Sequence, residues 1–347
     1  MSEQLSSKPR LLMIDGLGVI IAQNSLPAVN AIVDHNTYPI GVYLTTMNLI
    51  RIWTEKFKPT KIIFNLDGPE AGERRRQIYP DYKNGRIIKK RESKVEIMEG
   101  EDNIVYGVEG AYQNQMIKIF EFIKLLPITM LMVPYAEADD VIANMALKNK
   151  DEFDVIIIAN DRDYLQLIQP GIFVYRWREK KLYGIKEIED EFKIKPSNFI
   201  FRKIMLGDKG DKVKGIKGVG EDTFNCFNSM LLENECKDIK EFLELIKSLK
   251  TDEFKTREKN AIAKTLLLED DMNLAYALMK LDENSINEEQ REIVKIQLEE
   301  QKINKLSLMA AKVKMFKTSF GKLYRNFNDD VWLSSFKFVK NHLPLKY

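Results

Sequence analysis

Hydrophobic and polar positions divide the chain into two parts with different patterns. In the first part, short apolar runs at residues 11–14, 61–66 and 155–159 alternate with segments of helical periodicity, and residues 172–175 form a fourth candidate run. The three clear runs are apolar at most positions, which is typical of strands buried on both faces of a parallel sheet. The alternation therefore predicts an α/β fold, a parallel sheet flanked by helices.

The second part, from about residue 197, shows helical periodicity without strand signals, as in residues 241–249 and 264–269. We therefore predict an α/β domain over residues 8–196 and an all-α domain over residues 197–347. The total length of 347 residues suits two domains, because one domain usually takes about 100–200 residues.

Each of the three clear apolar runs leads directly into an aspartate, and two further acidic groups lie outside the runs. The carboxyl ends of parallel strands share one edge of the sheet, where α/β proteins bind their ligands. We therefore expect carboxylates from separate segments to lie together in one crevice at this edge. The candidate set is Asp15, Asp67, Glu137, Asp139, Asp140, Asp161, Asp163, Asp208 and Asp211.

Carboxylates packed together repel one another unless cations lie between them. Oxygen ligands without His or Cys suit Mg²⁺ or Mn²⁺, and two such ions roughly 4 Å apart would activate a water and stabilise the leaving oxygen of a phosphodiester. The alternative for each acid alone is a turn or helix cap, since Asp often follows a strand in that role. Convergence of five segments favours metal ions. Helical spacing puts Glu137 and Asp140 on one face and Asp139 on another. It leaves open which of the three bind a metal ion directly.

Positive charge is concentrated in one stretch, although the formal net charge is only +2. Residues 74–94 carry nine basic side chains against two acidic ones, and we predict that about 74–110 forms a basic region projecting from the sheet. Lys83 and Arg86 share one face of a helix if this stretch is helical, and could neutralise a scissile phosphate. Tyr82 could stack on a base. A solvated basic helix is the alternative.

A glycine-rich segment lies near the start of the second part. Gly215, Gly218 and Gly220 have the wrong spacing for a dinucleotide-binding fingerprint and follow a helical stretch instead of a strand. They suit the hairpin of a helix-hairpin-helix element near 206–225, whose backbone N–H groups face a phosphate. A plain glycine turn is the alternative, but the neighbouring lysines favour DNA: Lys212, Lys214 and Lys217.

These motifs together resemble the 5′→3′ exonuclease and flap endonuclease family, which includes the 5′-nuclease domains of bacterial DNA polymerases and the phage RNase H enzymes. The similarity covers roughly residues 10–225. It runs from Leu-Met-Ile-Asp15-Gly and Phe-Asn-Leu-Asp67-Gly through the basic stretch 75–86 to Glu137-Ala-Asp139-Asp140, Asn160-Asp161-Arg-Asp163 and the segment 206–220. The resemblance implies a PIN-like sheet domain and DNA contacts from Arg75 and Arg76.

The resemblance also implies the ligands of two metal ions. One would be held mainly by Asp15, Asp67, Glu137 and Asp139. The second would lie among Asp139, Asp161, Asp163, Asp208 and Asp211, with Asp140 in support. A monovalent cation at the hairpin is a further candidate, although lysines stand at 214 and 217 where the family often has prolines.

The function implied is that of a monomeric nuclease of DNA replication. It would leave 5′-phosphate and 3′-hydroxyl ends at 5′ flaps, nicks and RNA–DNA hybrids, and would remove RNA primers. Single-strand-binding protein and a polymerase clamp are candidate partners. Two alternatives remain open: a non-catalytic DNA-binding relative, and a PIN-type ribonuclease on free RNA.

The expected location is the cytoplasm, or the host cytoplasm for a phage protein. Two cysteines without a C-x-x-C pair suit a reducing compartment, and no apolar run approaches the roughly 18 residues of a membrane helix.

Overall fold

The computed structural model describes residues 5–34, 38–83, 110–208, 210–249, 252, 254–301, 308–317, 328–340 and 344–347. Most of the predicted basic region at 74–110, including Arg86, lies outside these residues. Counts and absences of structural elements refer to these residues.

A six-stranded sheet forms the centre of the first part, in the order β3-β2-β1-β4-β5-β6. Its strands are β1 (Arg10–Asp15), β2 (Lys61–Asp67), β3 (Thr129–Val133), β4 (Asp154–Ile158), β5 (Ile172–Arg176) and β6 (Lys181–Tyr183). The first five are parallel, and β6 pairs antiparallel with β5. The parallel sheet predicted from the apolar runs is confirmed, and it places the carboxyl ends of β1, β2 and β4 side by side.

Helices cover both faces of this sheet. They are α1 (Gly16–Asn24), α2 (Pro27–Asn30), α3 (Gly41–Phe57), α4 (Glu73–Ile78), α5 (Ala111–Ile123), α6 (Ala138–Asn149) and α7 (Ile185–Phe192). Helices α1, α3 and α5 contribute to the core on one face, and α6 contributes to the core on the other face. The sheet is thus buried on both sides, as its continuous apolar strands require.

The second part is helical except for one short two-stranded ribbon. Its helices are α8 (Phe199–Leu206), α9 (Glu221–Phe224), α10 (Asn228–Glu233), α11 (Ile239–Lys247), α12 (Thr256–Leu267), α13 (Glu269–Met279), α14 (Glu288–Glu300), α15 (Leu308–Lys317) and α16 (Asp329–Ser334). The ribbon joins β7 (Gly207–Asp208) to β8 (Val213–Lys214) and was not predicted. No helix among the described residues is both long enough and apolar enough to cross a membrane.

Short polar side chains set the first residues of several helices. Asp238 accepts hydrogen bonds from the N–H groups of Lys240 and Glu241, both at 2.9 Å, where α11 begins. Asn328 accepts from the N–H of Val331 at 3.0 Å at the start of α16. Such caps satisfy N–H groups that have no partner within the helix. The same local chemistry recurs below at the acidic strand ends.

The two parts share their cores. Ala311, Met315 and Trp332, from the last third of the chain, are buried in the core that α3 and α5 form on the sheet. Trp332 stacks on Phe122 of α5 with ring centroids 5.7 Å apart. The boundary at residue 196 stays a prediction, and the packing adds that α15 and α16 return to the sheet.

Two glutamines, one in α14 and one at its C-cap, close the open edge of β3. Gln297 accepts from the N–H of Met132 at 3.0 Å and donates to its carbonyl at 2.9 Å. Gln301 makes the same pair of bonds with Met130, both at 2.7 Å. Four helical residues rise about 6.0 Å, close to the two-residue repeat of about 6.6 Å in a strand, so the side-chain amides replace a neighbouring strand. An exposed edge is thereby protected from pairing with another chain.

Candidate metal centre

The three strand-end aspartates have local roles as well as a shared position. Asp15 accepts from the N–H of Gly18 at 3.0 Å and caps α1, and Asp161 accepts from the N–H of Asp163 at 2.9 Å. Asp67 accepts from the N–H of Ala138, the first residue of α6, at 2.8 Å. The capping alternative is therefore correct for each acid alone, yet capping leaves the second carboxylate oxygen of each for another ligand.

Electrostatics show that these acids lie near one another. Burial, together with the negative charges of Asp67 and Asp161, raises the pKa of Asp15 to about 6, against the lowering effect of the Gly18 hydrogen bond. Tyr164 is buried and hydrogen-bonded to Asp15, and burial together with Asp15 and Asp139 raises its pKa. Tyr164 was missed in the sequence because a tyrosine after a strand carries no distinctive signal.

Glu137, Asp139 and Asp140 form the first carboxylate cluster, with one oxygen of each within 4.8 Å of the others. Arg75 of α4 donates to both oxygens of Asp140, at 2.8 and 2.9 Å, and also pairs with Glu137. Arg75 thus satisfies both oxygens of Asp140, which suits the supporting role that the resemblance implies, and direct metal ligation by Asp140 stays a prediction. The face shared by Glu137 and Asp140 is the one that Arg75 contacts.

Asp139 is the member of this cluster with an unsatisfied oxygen. Its Oδ1 is buried and accepts no hydrogen bond from the described residues, and the nearest recorded cation is Nη1 of Arg75 at 3.7 Å. Burial, opposed by Arg75 and reinforced by Asp140 and Glu137, raises the pKa of Asp139. A buried carboxylate oxygen without a partner is costly, so this position fits a metal ion.

Asp163, Asp208 and Asp211 form the second cluster, again with oxygens within 4.8 Å of one another. Lys203 of α8 contacts Asp163 and lies 3.3 Å from Asp208. Burial would raise the pKa of Asp208, but Lys203 and two backbone N–H groups bring it below its usual value. Lys203 was also missed, although a lysine within the apolar segment Phe-Ile-Phe-Arg-Lys-Ile-Met-Leu was a usable signal.

Lys83 contacts both clusters. Its Nζ pairs with Glu137 of the first and lies 3.9 Å from Asp211 of the second. The residue has φ of +52°, in a turn and not in a helix, so the helical spacing predicted for Lys83 and Arg86 does not hold at Lys83. Its ammonium group nevertheless reaches the acidic crevice, and its catalytic role stays a prediction.

Two of the predicted DNA contacts are buried in this structure. Arg75 and Tyr82 are each 2% exposed, and the Tyr82 hydroxyl donates to Glu137 at 3.0 Å. Neither side chain presents its functional group to the surface here, and the DNA contacts of Arg75 and Tyr82 stay predictions. Arg76 is half-buried at the surface, where it donates to the carbonyls of Ala71 and Glu70; its DNA contact stays a prediction.

The glycine segment forms a compact turn between β8 and α9. A Cβ on Gly215 would lie 2.4 Å from the backbone of Leu206, so only glycine allows this approach. Gly218 has φ of +92°. Three lysines around this turn are exposed, which leaves them available to a phosphate backbone: Lys212, Lys214 and Lys217.

An open groove of about 770 Å³ runs from Asp15 and Asp161 between α1 and the β5–β6 hairpin. Its basic side was not predicted from the sequence and is lined by Arg162, Arg176, Arg178, Arg202 and Lys203. The arginines are scattered along the chain and converge only through the fold. The groove thus places the acidic clusters beside cationic side chains that suit a phosphate group.

A parallel sheet with two carboxylate clusters at its carboxyl edge, beside a basic groove, defines a metal-dependent phosphodiesterase. The family described as 5′–3′ exonuclease, N-terminal resolvase-like domain, matches residues 10–193, more than half of the 347 residues. The chain belongs to this family of nucleases, so the family and enzyme class predicted from the sequence are confirmed.

Individual relatives agree with this assignment. A flap endonuclease Xni of Shewanella sp. (strain MR-4) is 29% identical over 213 residues, which cover 61% of this chain and 71% of the relative. A 5′–3′ exonuclease of Aquifex aeolicus is 29% identical over 187 residues, or 54% of this chain and 58% of the relative. The bacteriophage T5 D15 protein co-crystallised with metal ions has the same fold, with a TM-score of 0.61 at 15% identity, over 84% of this chain and 98% of that one.

The buried ion pairs of Arg75 generate a prediction about stability. Arg75→Met removes the buried cation that bonds both oxygens of Asp140 and one of the two cations on Glu137, so the free energy of unfolding should fall by about 3–5 kcal/mol. Urea unfolding monitored by circular dichroism measures this change. Arg76→Met, on the same helix but at the surface, should change it by less than about 1 kcal/mol. Equal effects of the two substitutions would contradict the role given to Arg75.

Proposed function

We propose that this protein is a two-metal-ion 5′ nuclease that hydrolyses phosphodiesters near 5′ ends of DNA and of RNA paired to DNA. One observation carries the proposal: Lys83 contacts a carboxylate of each of two separate clusters. A scissile phosphate placed at this point would have carboxylate clusters on two sides and an ammonium group beside it.

Mg²⁺ is the cation that the donor set favours. The described clusters consist of carboxylate oxygens alone, which suit Mg²⁺ or Mn²⁺ better than zinc. Asp15, Asp67, Glu137 and Asp139 would hold one ion, and Asp161, Asp163, Asp208 and Asp211 the second. Two ions bound there would supply a nucleophile at neutral pH and Lewis-acid stabilisation of the leaving oxygen.

The lysines of the centre have a different task from the acids. Without substrate, Lys83 and Lys203 neutralise part of the carboxylate charge. With substrate, the Lys83 ammonium would turn from Glu137 to the phosphate, where it stabilises negative charge that grows in the transition state. Arg75 stays fixed on Asp140 and holds Glu137 in place.

Nucleic acid would bind along the arginine groove and at the hairpin lysines. The T5 D15 flap endonuclease, which shares the fold with a TM-score of 0.57, has been solved with DNA and metal ions. For this chain we propose 5′ flaps, nicks and RNA–DNA hybrids as substrates, with removal of RNA primers in the cytoplasm. The protein would act as a monomer beside a single-strand-binding protein or a polymerase clamp.

Single-turnover cleavage of a 5′-labelled flap in Mg²⁺ tests this proposal. Asp139→Asn should abolish cleavage while the dissociation constant for the flap in EDTA changes only a few-fold, because metal ligands serve the chemistry. Substantial Mg²⁺-dependent cleavage by this variant would contradict the metal assignment. Equal cleavage of free single-stranded RNA would favour the PIN-type ribonuclease, and no cleavage by the wild-type protein would favour the non-catalytic relative.

Lys83→Ala separates chemistry from binding. At saturating enzyme its cleavage rate should fall about 10²–10³-fold, with a few-fold change in the dissociation constant, since the ammonium acts mainly on the transition state. Lys186→Ala, at an exposed lysine of α7, serves as the control and should retain the wild-type rate. A wild-type rate for Lys83→Ala at saturation would mean that Lys83 only contacts the nucleic-acid backbone and has no part in the chemical step.

The raised pKa of Asp15 predicts how Mg²⁺ stabilisation depends on pH. The pKa of Asp15 is about 6 in the folded protein, against an ordinary value of 3.8. Folding therefore favours the protonated form, and the free energy of unfolding falls as the pH rises from 3.8 to about 6. A divalent cation offsets that loss. The increase in melting temperature caused by Mg²⁺ should therefore be larger at pH 7.5 than at pH 5. An equal increase at both pH values would argue against a cation beside Asp15.

A further inference from the structure

The 215–220 hairpin contains a tight turn with a defined peptide orientation. The carbonyl of Ile216 accepts from the N–H of Val219 at 2.9 Å, which closes a four-residue turn. Gly218, the third residue of that turn, has φ of +92°. A positive φ at this position is what a type II turn requires, and it favours glycine.

The central peptide of the turn, between Lys217 and Gly218, faces a cation from α12. The carbonyl of Lys217 accepts a hydrogen bond from Nζ of Lys264 at 2.8 Å. Neighbouring carbonyls of the hairpin are used within the backbone: that of Ile216 by Val219, and that of Gly220 by Thr223 and Phe224. The Lys217 carbonyl, by contrast, accepts from an ammonium group.

Lys264 reaches the hairpin from a helix that is itself anchored. Ala261, Ile262 and Thr265 of α12 are buried in the core, while Lys264 lies at the surface. Its Nζ lies 3.4 Å from the position that a Cβ on residue 218 would take, so the glycine also makes room for it.

We propose that the ammonium group of Lys264 takes the place of a monovalent cation at the hairpin, so that no bound monovalent ion is needed for binding duplex DNA. The proposal rests on the DNA-binding function proposed above. A monovalent cation against the Lys217 carbonyl would have to displace an ammonium group already bonded to it, and like charges so close repel. The residues present therefore do not fit the monovalent cation expected at this hairpin.

The bond to Lys264 also orients the other side of the peptide. In a trans peptide the C=O and N–H groups point to opposite sides. An ammonium group on the Lys217 carbonyl holds the N–H of Gly218 facing away from α12 and polarises it as a donor. A phosphate on that side would meet this N–H among the exposed lysines of the hairpin. Lys264 would then act on DNA as a positioning residue.

Fluorescence anisotropy with a nicked duplex in EDTA tests the proposal without cleavage. Affinities are measured in KCl, NaCl and tetramethylammonium chloride at one ionic strength, because the large organic cation cannot enter a carbonyl site. Wild type should bind equally in all three salts. Lys264→Met should bind roughly tenfold more weakly in tetramethylammonium chloride, the loss expected for a charge-assisted hydrogen bond, and regain affinity in KCl.

Two control variants separate this role from simple charge. Lys264→Arg keeps a cationic donor and should behave as wild type, and Lys240→Met, at an exposed lysine of α11, should bind without preference among the salts. A wild-type preference for KCl would overturn the proposal, as would no loss for Lys264→Met or an equal loss in every salt. Absence of wild-type binding in all salts would overturn the proposed function as well, so the two failures are distinguishable.

Discussion

Repulsion among carboxylates at one edge of the sheet governs the arrangement of the charged side chains around it. Burial and neighbouring charge raise the pKa values of Asp15 and Asp139. Without cations, such a cluster opposes folding. Three basic side chains from different segments, Arg75, Lys83 and Lys203, enter the crevice and offset part of this charge. Divalent cations would complete the neutralisation. The strands and helices that hold the acids together therefore also favour metal binding.

Arg75 links this electrostatic centre to the helical part of the chain. Its guanidinium group donates to Asp140 on α6 and pairs with Glu137, the N-cap of α6. The Nε of Arg75 donates to the carbonyl of Leu278 on α13 at 2.8 Å. A buried, fully bonded arginine therefore fixes three elements relative to one another. The position of the first cluster is tied in this way to the packing of the second part of the chain.

The sequence was sufficient for the sheet and the acids, because continuous apolar runs ending in aspartate mark buried parallel strands. Strand β3 was missed although it is as long as β4, because Pro134 and not an aspartate follows its apolar run. Arg75 was grouped with surface cations because a basic run does not show which member turns inward. The roles of Lys203 and Tyr164 depend on contacts between segments far apart in the chain, and spacing along one segment carries no information about such contacts.

Anomalous diffraction from crystals soaked in Mn²⁺ would show whether each of the two clusters holds a divalent cation. We expect two peaks. One lies against Asp139 and Glu137, and the other among Asp163, Asp208 and Asp211. Crystals that show no Mn²⁺ at either cluster, with Lys83 and Lys203 still paired to the acids, would contradict the account.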